Sequence, residues 1–460
     1  MAEIFATAEQ ALLNRQQLPE IFGTNKIRPS YDGLGLANIA ALPIQWLCPE
    51  ARRDAINRVC TQPALPPFNP SLLGIDAVTQ AWQNWQNMAP INHVVLLVLD
   101  AFGYDQLLTL MEKNIVPGLA NACGSDKAFF MPATTVFPST TVTAITSSTT
   151  AYATAQHGVT STTAYLREIG SLVSLLRWRP HTAPTSAIYT DEQLNPDTFV
   201  KVPNIYLRME KAGLNVGIVN FNGFKNTSIS RFTTINSEAG KDKYTGYLTY
   251  ADGFAQLRDR ILTSYDNGKS FTYIYVSNID GAAHRYAPLT PYYQAQVATI
   301  DFALKRELLD ALTGRSDVVL LITADHGQCS TDPEKVLWLH EHPELTKLLW
   351  TPAATGEARA RFLHVKNGAE DTVKAYVNSH FDDNFLLVSK AEAIALGLFG
   401  LPNEPLSPES DDRVGDFILV PRHDWICYQS LTGEKWAPHA GVHGGLSRAE
   451  MLIPFLAYRF

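Results

Sequence analysis

Four short apolar runs punctuate the chain: His93–Leu99 (HVVLLVL), 216–221 (VGIVNF), 271–276 (FTYIYV) and 317–323 (DVVLLIT). They are rich in β-branched and aromatic residues and bounded by polar or glycine-containing stretches. That is the mark of strands buried on both faces. Helical patterns alternate with them, one of which covers 292–311 between the last two runs. Alternation of this kind predicts βαβ units around a mostly parallel sheet. The expected class is α/β, a three-layer αβα sandwich with an inserted cap region.

The flanking regions pattern differently. Residues 1–90 read as helices and loops, with helical character over 51–59 and a proline-rich break over 63–70 (PALPPFNP). They are expected to form an extension packed on a catalytic core that spans 91–330. Residues 331–435 mix helices with short strands at 362–365, 385–388 and 417–420, and read as an insertion or cap. Residues 436–460 would return to the core. The stretch 134–163 is rich in Ser and Thr, yet it carries apolar residues and ends close to His157-Gly158, which a solvated linker does not need.

Composition narrows the classes. Of 460 residues 46% are hydrophobic and 18% charged, an ordinary globular balance with length for one large core and more. The net charge of −8 speaks against a nucleic-acid lattice as partner, while leaving room for a small anionic substrate whose charge is met by metals. The five cysteines, Cys48, Cys60, Cys123, Cys329 and Cys427, are far apart and odd in number. Neither a disulfide framework nor a thiolate zinc site is indicated. The start of the chain does not pattern as a secretory signal, and no apolar run is long enough to span a bilayer. No membrane association and a cytoplasmic location are the expectations.

Chemistry gathers where three strands end. HVVLLVL runs into Asp100, FTYIYVSNI into Asp280 with His284 four residues on, and VVLLITA into Asp325-His326. Ligands of open α/β sheets bind beyond the carboxyl ends of the strands, so the three aspartates are expected to converge. Carboxylates that close would raise one another's pKa, a penalty that divalent cations remove. The adjacent histidines add nitrogen donors suited to zinc. Asp280 and His284 share a face if the chain turns helical there. His443 lies in Gly441-Val-His-Gly-Gly, where little side-chain bulk lets a backbone approach a metal. The segment Phe137-Pro-Ser-Thr-Thr141-Val reads as a helix start at Pro138 and Ser139. A hydroxyl there gains from the helix dipole, and Thr141, Thr140 and Ser139 are all candidates for a nucleophile.

Together these residues resemble the alkaline phosphatase superfamily, in its nucleotide pyrophosphatase/phosphodiesterase (type I phosphodiesterase) branch. Pro138-Ser-Thr-Thr141 and His157-Gly-Val fit that branch's nucleophile motif and the His-Gly-Ile that follows it. The resemblance implies Thr141 as nucleophile and a covalent phosphothreonine intermediate. It implies two divalent metal ions, zinc first with manganese or iron as alternatives. One would be held by Asp100, Thr141, Asp325 and His326, the other by Asp280, His284 and His443. The sequence departs from the branch at Thr143 and Ala144, which stand where it has Pro-Asn. It departs also at Thr162, where an Asn helps hold a phosphate oxygen; the threonine hydroxyl is the substrate contact expected in its place.

The implied function is hydrolysis of a phosphodiester or pyrophosphate bond in a small phosphorylated substrate, a nucleotide among the candidates. Two alternatives stand beside it. One is a phosphomonoesterase or phosphonate hydrolase on the same core; the other is a catalytically silent binding module. No Cys/Ser-x-Pro-x-Arg motif of a sulfatase sits at Thr141. Other histidines read as structural: His157 as a buried hydrogen-bonded residue beside a turn glycine, and His340 and His342 as parts of a solvated helix. His439 is the one rival to His443 as ligand, and Arg167 reads as half of a surface ion pair.

Overall fold

The computed structural model describes residues 2–183, 186–263 and 268–460. Its centre is a seven-stranded sheet in the order Ala128–Thr134, Leu452–Arg459, Val318–Thr323, His93–Leu99, Ser270–Val276, Asn215–Phe221, Tyr244–Tyr247. His93–Leu99 runs parallel to both neighbours, and all seven of its residues are buried. The α/β class with a mostly parallel sheet therefore holds. The four apolar runs are its four middle parallel strands, each within a residue of the expected bounds.

Three further strands complete the sheet without having announced themselves. Leu452–Arg459 is antiparallel to Val318–Thr323 on one side and to Ala128–Thr134 on the other. Tyr244–Tyr247 adds a parallel edge next to Asn215–Phe221. The first 90 residues pack on the core through aromatic rings. Trp82 stacks on Trp85 at 5.2 Å between centroids, and Phe68 meets Phe455 of the sheet at 4.2 Å.

The Ser/Thr-rich stretch contains a buried helix, Thr141–Thr150, which packs against the helix Leu36–Leu47. Three of its hydroxyls are satisfied within the helix: Thr146, Thr149 and Thr150 each donate to the carbonyl four residues back at 2.7 Å. The helix starts later than Pro138 and Ser139 would suggest, because Thr140 holds the extended N-cap conformation. Thr141 is thus its first residue.

A second seven-stranded sheet runs in the order Phe385–Ser389, Phe417–Pro421, Ala360–Leu363, Thr355–Glu357, Thr163–Leu166, Ser171–Ser174, Arg179–Pro180. The strands expected near 362, 385 and 417 all lie in it. Gly356 pairs with Thr163, so a hairpin from 163–174 joins strands almost 200 residues later. A buried ion pair ties this sheet to the His443 loop: Arg359 Nε donates to Glu450 Oε1 at 2.7 Å, and that oxygen also accepts from Gly445 N at 2.8 Å. All five cysteines are free. Among the described residues, no helix is long and apolar enough to cross a membrane.

Candidate metal centre

Sheet register brings the aspartates together. His93 pairs with Val318 and Val98 with Thr323; continuing that ladder by two residues sets Asp100 opposite Asp325. Leu99 pairs with Val276, after which the chain enters the helix Asn278–Tyr286 and carries Asp280 on its first turn. Asp325 Oδ1 accepts from Ala101 N and His326 N, both at 2.9 Å, which locks its carboxylate to the end of the neighbouring strand. Asp100 Oδ2 accepts from the Tyr275 hydroxyl. The opposite oxygens, Asp100 Oδ1 and Asp325 Oδ2, are buried with no hydrogen-bond partner.

Both orphan oxygens face one imidazole. His326 Nε2 is 3.7 Å from Asp100 Oδ1, 3.5 Å from Asp325 Oδ2 and 3.1 Å from Thr141 Oγ1. A second group forms around Asp280 Oδ1, with His284 Nε2 at 3.2 Å and His443 Nε2 at 3.8 Å. The rings of His326 and His443 stack at 3.9 Å, so the two groups adjoin. Potential ligand atoms lie within 4.8 Å of one another in each of two sets, Asp100–Asp325–His326 and Asp280–His326–His443.

The three histidines share one device. Nδ1 of His284 faces Gly441 O at 2.8 Å, that of His326 faces Gly327 O at 3.0 Å, and that of His443 faces Ser139 O at 3.0 Å. A carbonyl only accepts, so each Nδ1 carries the proton and each Nε2 offers its lone pair to the centre. For His284 this needs close approach at Gly441, where a Cβ would stand 2.6 Å from Ala283 O. Burial, reinforced by His326 and His284, holds His443 well below the usual imidazole range and thus neutral.

The carboxylates are strained in the opposite sense. Burial, then the charges of Asp325 and Asp280, push Asp100 well above the usual carboxyl range. Burial also raises Asp280, against the pull of His284 and His326. Two unpaired buried carboxylate oxygens beside three inward-facing imidazole nitrogens fit divalent cations. All seven residues expected as ligands are therefore brought together.

Other sequence candidates lie elsewhere. His157 is buried next to Gly158, with Nε2 on Ser147 Oγ at 2.9 Å and Nδ1 accepting from Val159 N. Burial lowers its pKa to about 3. His439 places its ring 4.8 Å from that of His284 but, unlike His284, brings no nitrogen within 4.0 Å of an Asp280 oxygen. His342 bonds Tyr376, and Arg167 pairs with Asp412 at 3.5 Å. Thr162 does lie beside the centre: its Oγ1 is 3.3 Å from Thr140 Oγ1.

Three neighbours escaped the sequence reading: Tyr275, Glu357 and Gln328. Gln328 donates from Nε2 to Asp280 Oδ1 and is itself anchored where Gln106 Nε2 donates to its carbonyl at 2.7 Å. Its position three residues after Asp325 is the one signal that could have found it. Outer partners of ligating groups set metal affinity, so Gln328→Ala is expected to weaken metal binding by roughly ten- to a hundredfold. Titration with a competing chelator measures this; an unchanged affinity would make Gln328 a spectator.

The model of the type I phosphodiesterase / nucleotide pyrophosphatase family matches residues 94–446. The chain belongs to that family. It is an enzyme of the hydrolase class, and its fold recurs in solved relatives. Murine ectonucleotide pyrophosphatase / phosphodiesterase 5 aligns with a TM-score of 0.57 at 18% identity, over 79% of this chain and 87% of its own. Phosphonoacetate hydrolase from Sinorhizobium meliloti 1021, in complex with phosphonoformate, aligns with a TM-score of 0.58 at 18% identity, over 80% and 91%. No curated protein sequence matches the chain at a significant level.

Proposed function

We propose that this family member hydrolyses phosphodiester or pyrophosphate bonds with Thr141 as nucleophile. The observation that carries the reading is the seat of the Thr141 hydroxyl. It stands on the first residue of a buried helix, 3.1 Å from His326 Nε2, and opens onto a cavity of about 500 Å³. Ile145, Tyr206, Phe224, Ile229, Tyr244 and Tyr273 are among the residues lining that cavity, and Asp100 and Asp280 border it. A mostly apolar, aromatic-walled space beside the nucleophile has room for the second organic group on phosphorus, which a diester carries and a monoester lacks.

Asp100, Thr141, Asp325 and His326 would hold one divalent cation, and Asp280, His284 and His443 the other; the nitrogen and oxygen donor set suits zinc. When bound, such a pair supplies charge neutralisation and a lowered pKa for a coordinated hydroxyl. The chain's own part is then attack by Thr141 Oγ on phosphorus. The Oγ–P bond forms as the bond to the leaving oxygen breaks, and water later cleaves the phosphothreonine. The free amides of the helix N-terminus would donate to non-bridging oxygens, with the Thr162 hydroxyl as the further contact this reading expects. A nucleotide is one candidate substrate; an inactive variant of the murine relative was solved in complex with AMP. A cytoplasmic location belongs to the same reading and rests on the five free, widely spaced cysteines.

Rates on bis-p-nitrophenyl phosphate, p-nitrophenyl phosphate and phosphonoacetate test this directly. The expected order has the diester first in kcat/KM, by about tenfold or more, a difference of about 1.4 kcal/mol in transition-state binding. A faster monoester would reverse the reading, and phosphate release from phosphonoacetate alone would replace it.

A further inference from the structure

Glu357 ends the strand Thr355–Glu357 of the second sheet, where pairing of Gly356 with Thr163 sets it against the segment that precedes Thr163. Its Oε1 accepts from Thr162 N at 2.5 Å, and the hydroxyls of Thr162 and Thr140, 3.3 Å apart, adjoin that contact. On its other flank lies the His443 loop. Gly444, at φ +113°, has no room for a side chain, because a Cβ there would stand 2.6 Å from Glu357 Cβ. The carboxylate is thus wedged between the neighbour of the nucleophile, the expected phosphate contact and the neighbour of a metal-ligand histidine.

It has no ion-pair partner. Among the described residues, no lysine, arginine or histidine nitrogen lies within 4.0 Å of it. The nearest guanidinium by electrostatics, Arg361, turns its Nη atoms to Thr355 O at 3.5 Å and Cys427 O at 2.6 Å. Burial raises the Glu357 pKa, against the pull of the Thr162 amide and the more distant charge of Arg361, which favour the ionised form. A chain that only needed to orient Thr162 had neutral acceptors available, so an unpaired carboxylate at this place needs a further account.

We propose that Glu357 is a charge filter that disfavours dianionic phosphate monoesters relative to monoanionic diesters at the Thr141 site. This rests on the phosphoesterase reading given above. A substrate with phosphorus at Thr141 Oγ and one oxygen on Thr162 stands beside the Glu357 charge. A diester brings one negative charge to that place and a monoester at neutral pH brings two. Repulsion scales with the substrate's charge, so the monoester carries the larger penalty, and discrimination comes from a built-in repulsive element as well as from contacts. The cations, held by Asp100, Asp280 and Asp325, attract both substrates, whereas Glu357 is outside the ligand sets and opposes the extra charge.

The test compares kcat/KM for p-nitrophenyl phosphate and bis-p-nitrophenyl phosphate, at pH 8 and saturating zinc, in wild type, Glu357→Gln and Glu357→Asp. Gln keeps an acceptor for Thr162 N and removes the charge; Asp keeps the charge. The expected result is a monoester-to-diester ratio that rises about tenfold or more in Glu357→Gln and stays within threefold of wild type in Glu357→Asp. Inhibition by inorganic phosphate, which is largely dianionic at that pH, should strengthen by a similar factor in the Gln variant alone. A ratio within twofold of wild type in Glu357→Gln overturns the filter, as does an equal shift in both variants. If the Gln variant does not fold, Glu357→Ala serves as the neutral variant with the same criteria. A wild-type enzyme that cleaves neither ester sinks the phosphoesterase reading instead, so the two failures are distinguishable.

Discussion

Thr141→Ala is expected to lower kcat on a phosphodiester by about a thousandfold or more while the protein stays folded. Three hydroxyls compete for the nucleophile's role, and their partners separate them. Ser139 Oγ is committed to the His443 loop, donating to Gly445 O at 2.8 Å and accepting from Gly444 N at 3.2 Å. Thr140 Oγ1 faces Thr162 Oγ1 at 3.3 Å. Thr141 Oγ1 is the one aimed at the ligand cluster, at His326 Nε2. Alanine at the first position of a helix is well tolerated, so circular dichroism and Tm should change little. Thr141→Ser keeps the oxygen and should retain measurable turnover. Mass spectrometry after acid quench should find a phosphate adduct on wild type and none on the alanine variant. Alanine-variant activity within tenfold of wild type would remove Thr141 from the mechanism.

Much of this centre was readable before any coordinates, and the reason is local. Asp100, Asp280, Asp325 and His326 each follow a run of buried apolar residues, and sheet register does the rest. The strands that went unread break the rules that made the others visible. Ala128–Thr134 contains Pro132 and Leu452–Arg459 contains Pro454, and proline inside a run argues against a strand. The structure reconciles them by pairing the two prolines opposite each other, where neither has an N–H to offer. Pro454 also lies beyond the part of its strand that pairs with Val318–Thr323, which begins at Leu456.

Glu357 and Gln328 were illegible for a different reason. The sequence neighbours of Glu357 carry no motif, and its role depends on a hairpin at 163–174 pairing with a strand almost 200 residues away. Gln328 matters only because Asp280, from another strand end, arrives within its reach. Ligands that terminate strands of one parallel sheet can be inferred from pattern. Residues that support them from a second sheet or a facing loop require the long-range contacts themselves.

Removing the metals should inactivate the enzyme and also invert the stability order of wild type and Asp325→Asn. Asp325 and Asp100 are 0% and 3% exposed, and each keeps one oxygen without a partner. In chelator, these charges repel in a buried site. Asp100 binds its proton more tightly folded than unfolded, so metal-free stability falls as pH rises past the ordinary carboxyl range. Asparagine at 325 keeps an oxygen to accept from Ala101 N and His326 N while deleting one charge. The metal-free variant should therefore melt above metal-free wild type at neutral pH. With zinc the order reverses. Binding to the folded state alone stabilises by about 2.7 kcal/mol per site at a hundredfold excess over Kd, and the variant has lost a ligand oxygen's charge at one site. Thermal melts of both proteins in EDTA and in zinc provide the four values needed. If Asp325→Asn is the less stable protein by the same margin in both conditions, the paired carboxylates were never waiting for a cation, and the two-metal reading of this site falls with them.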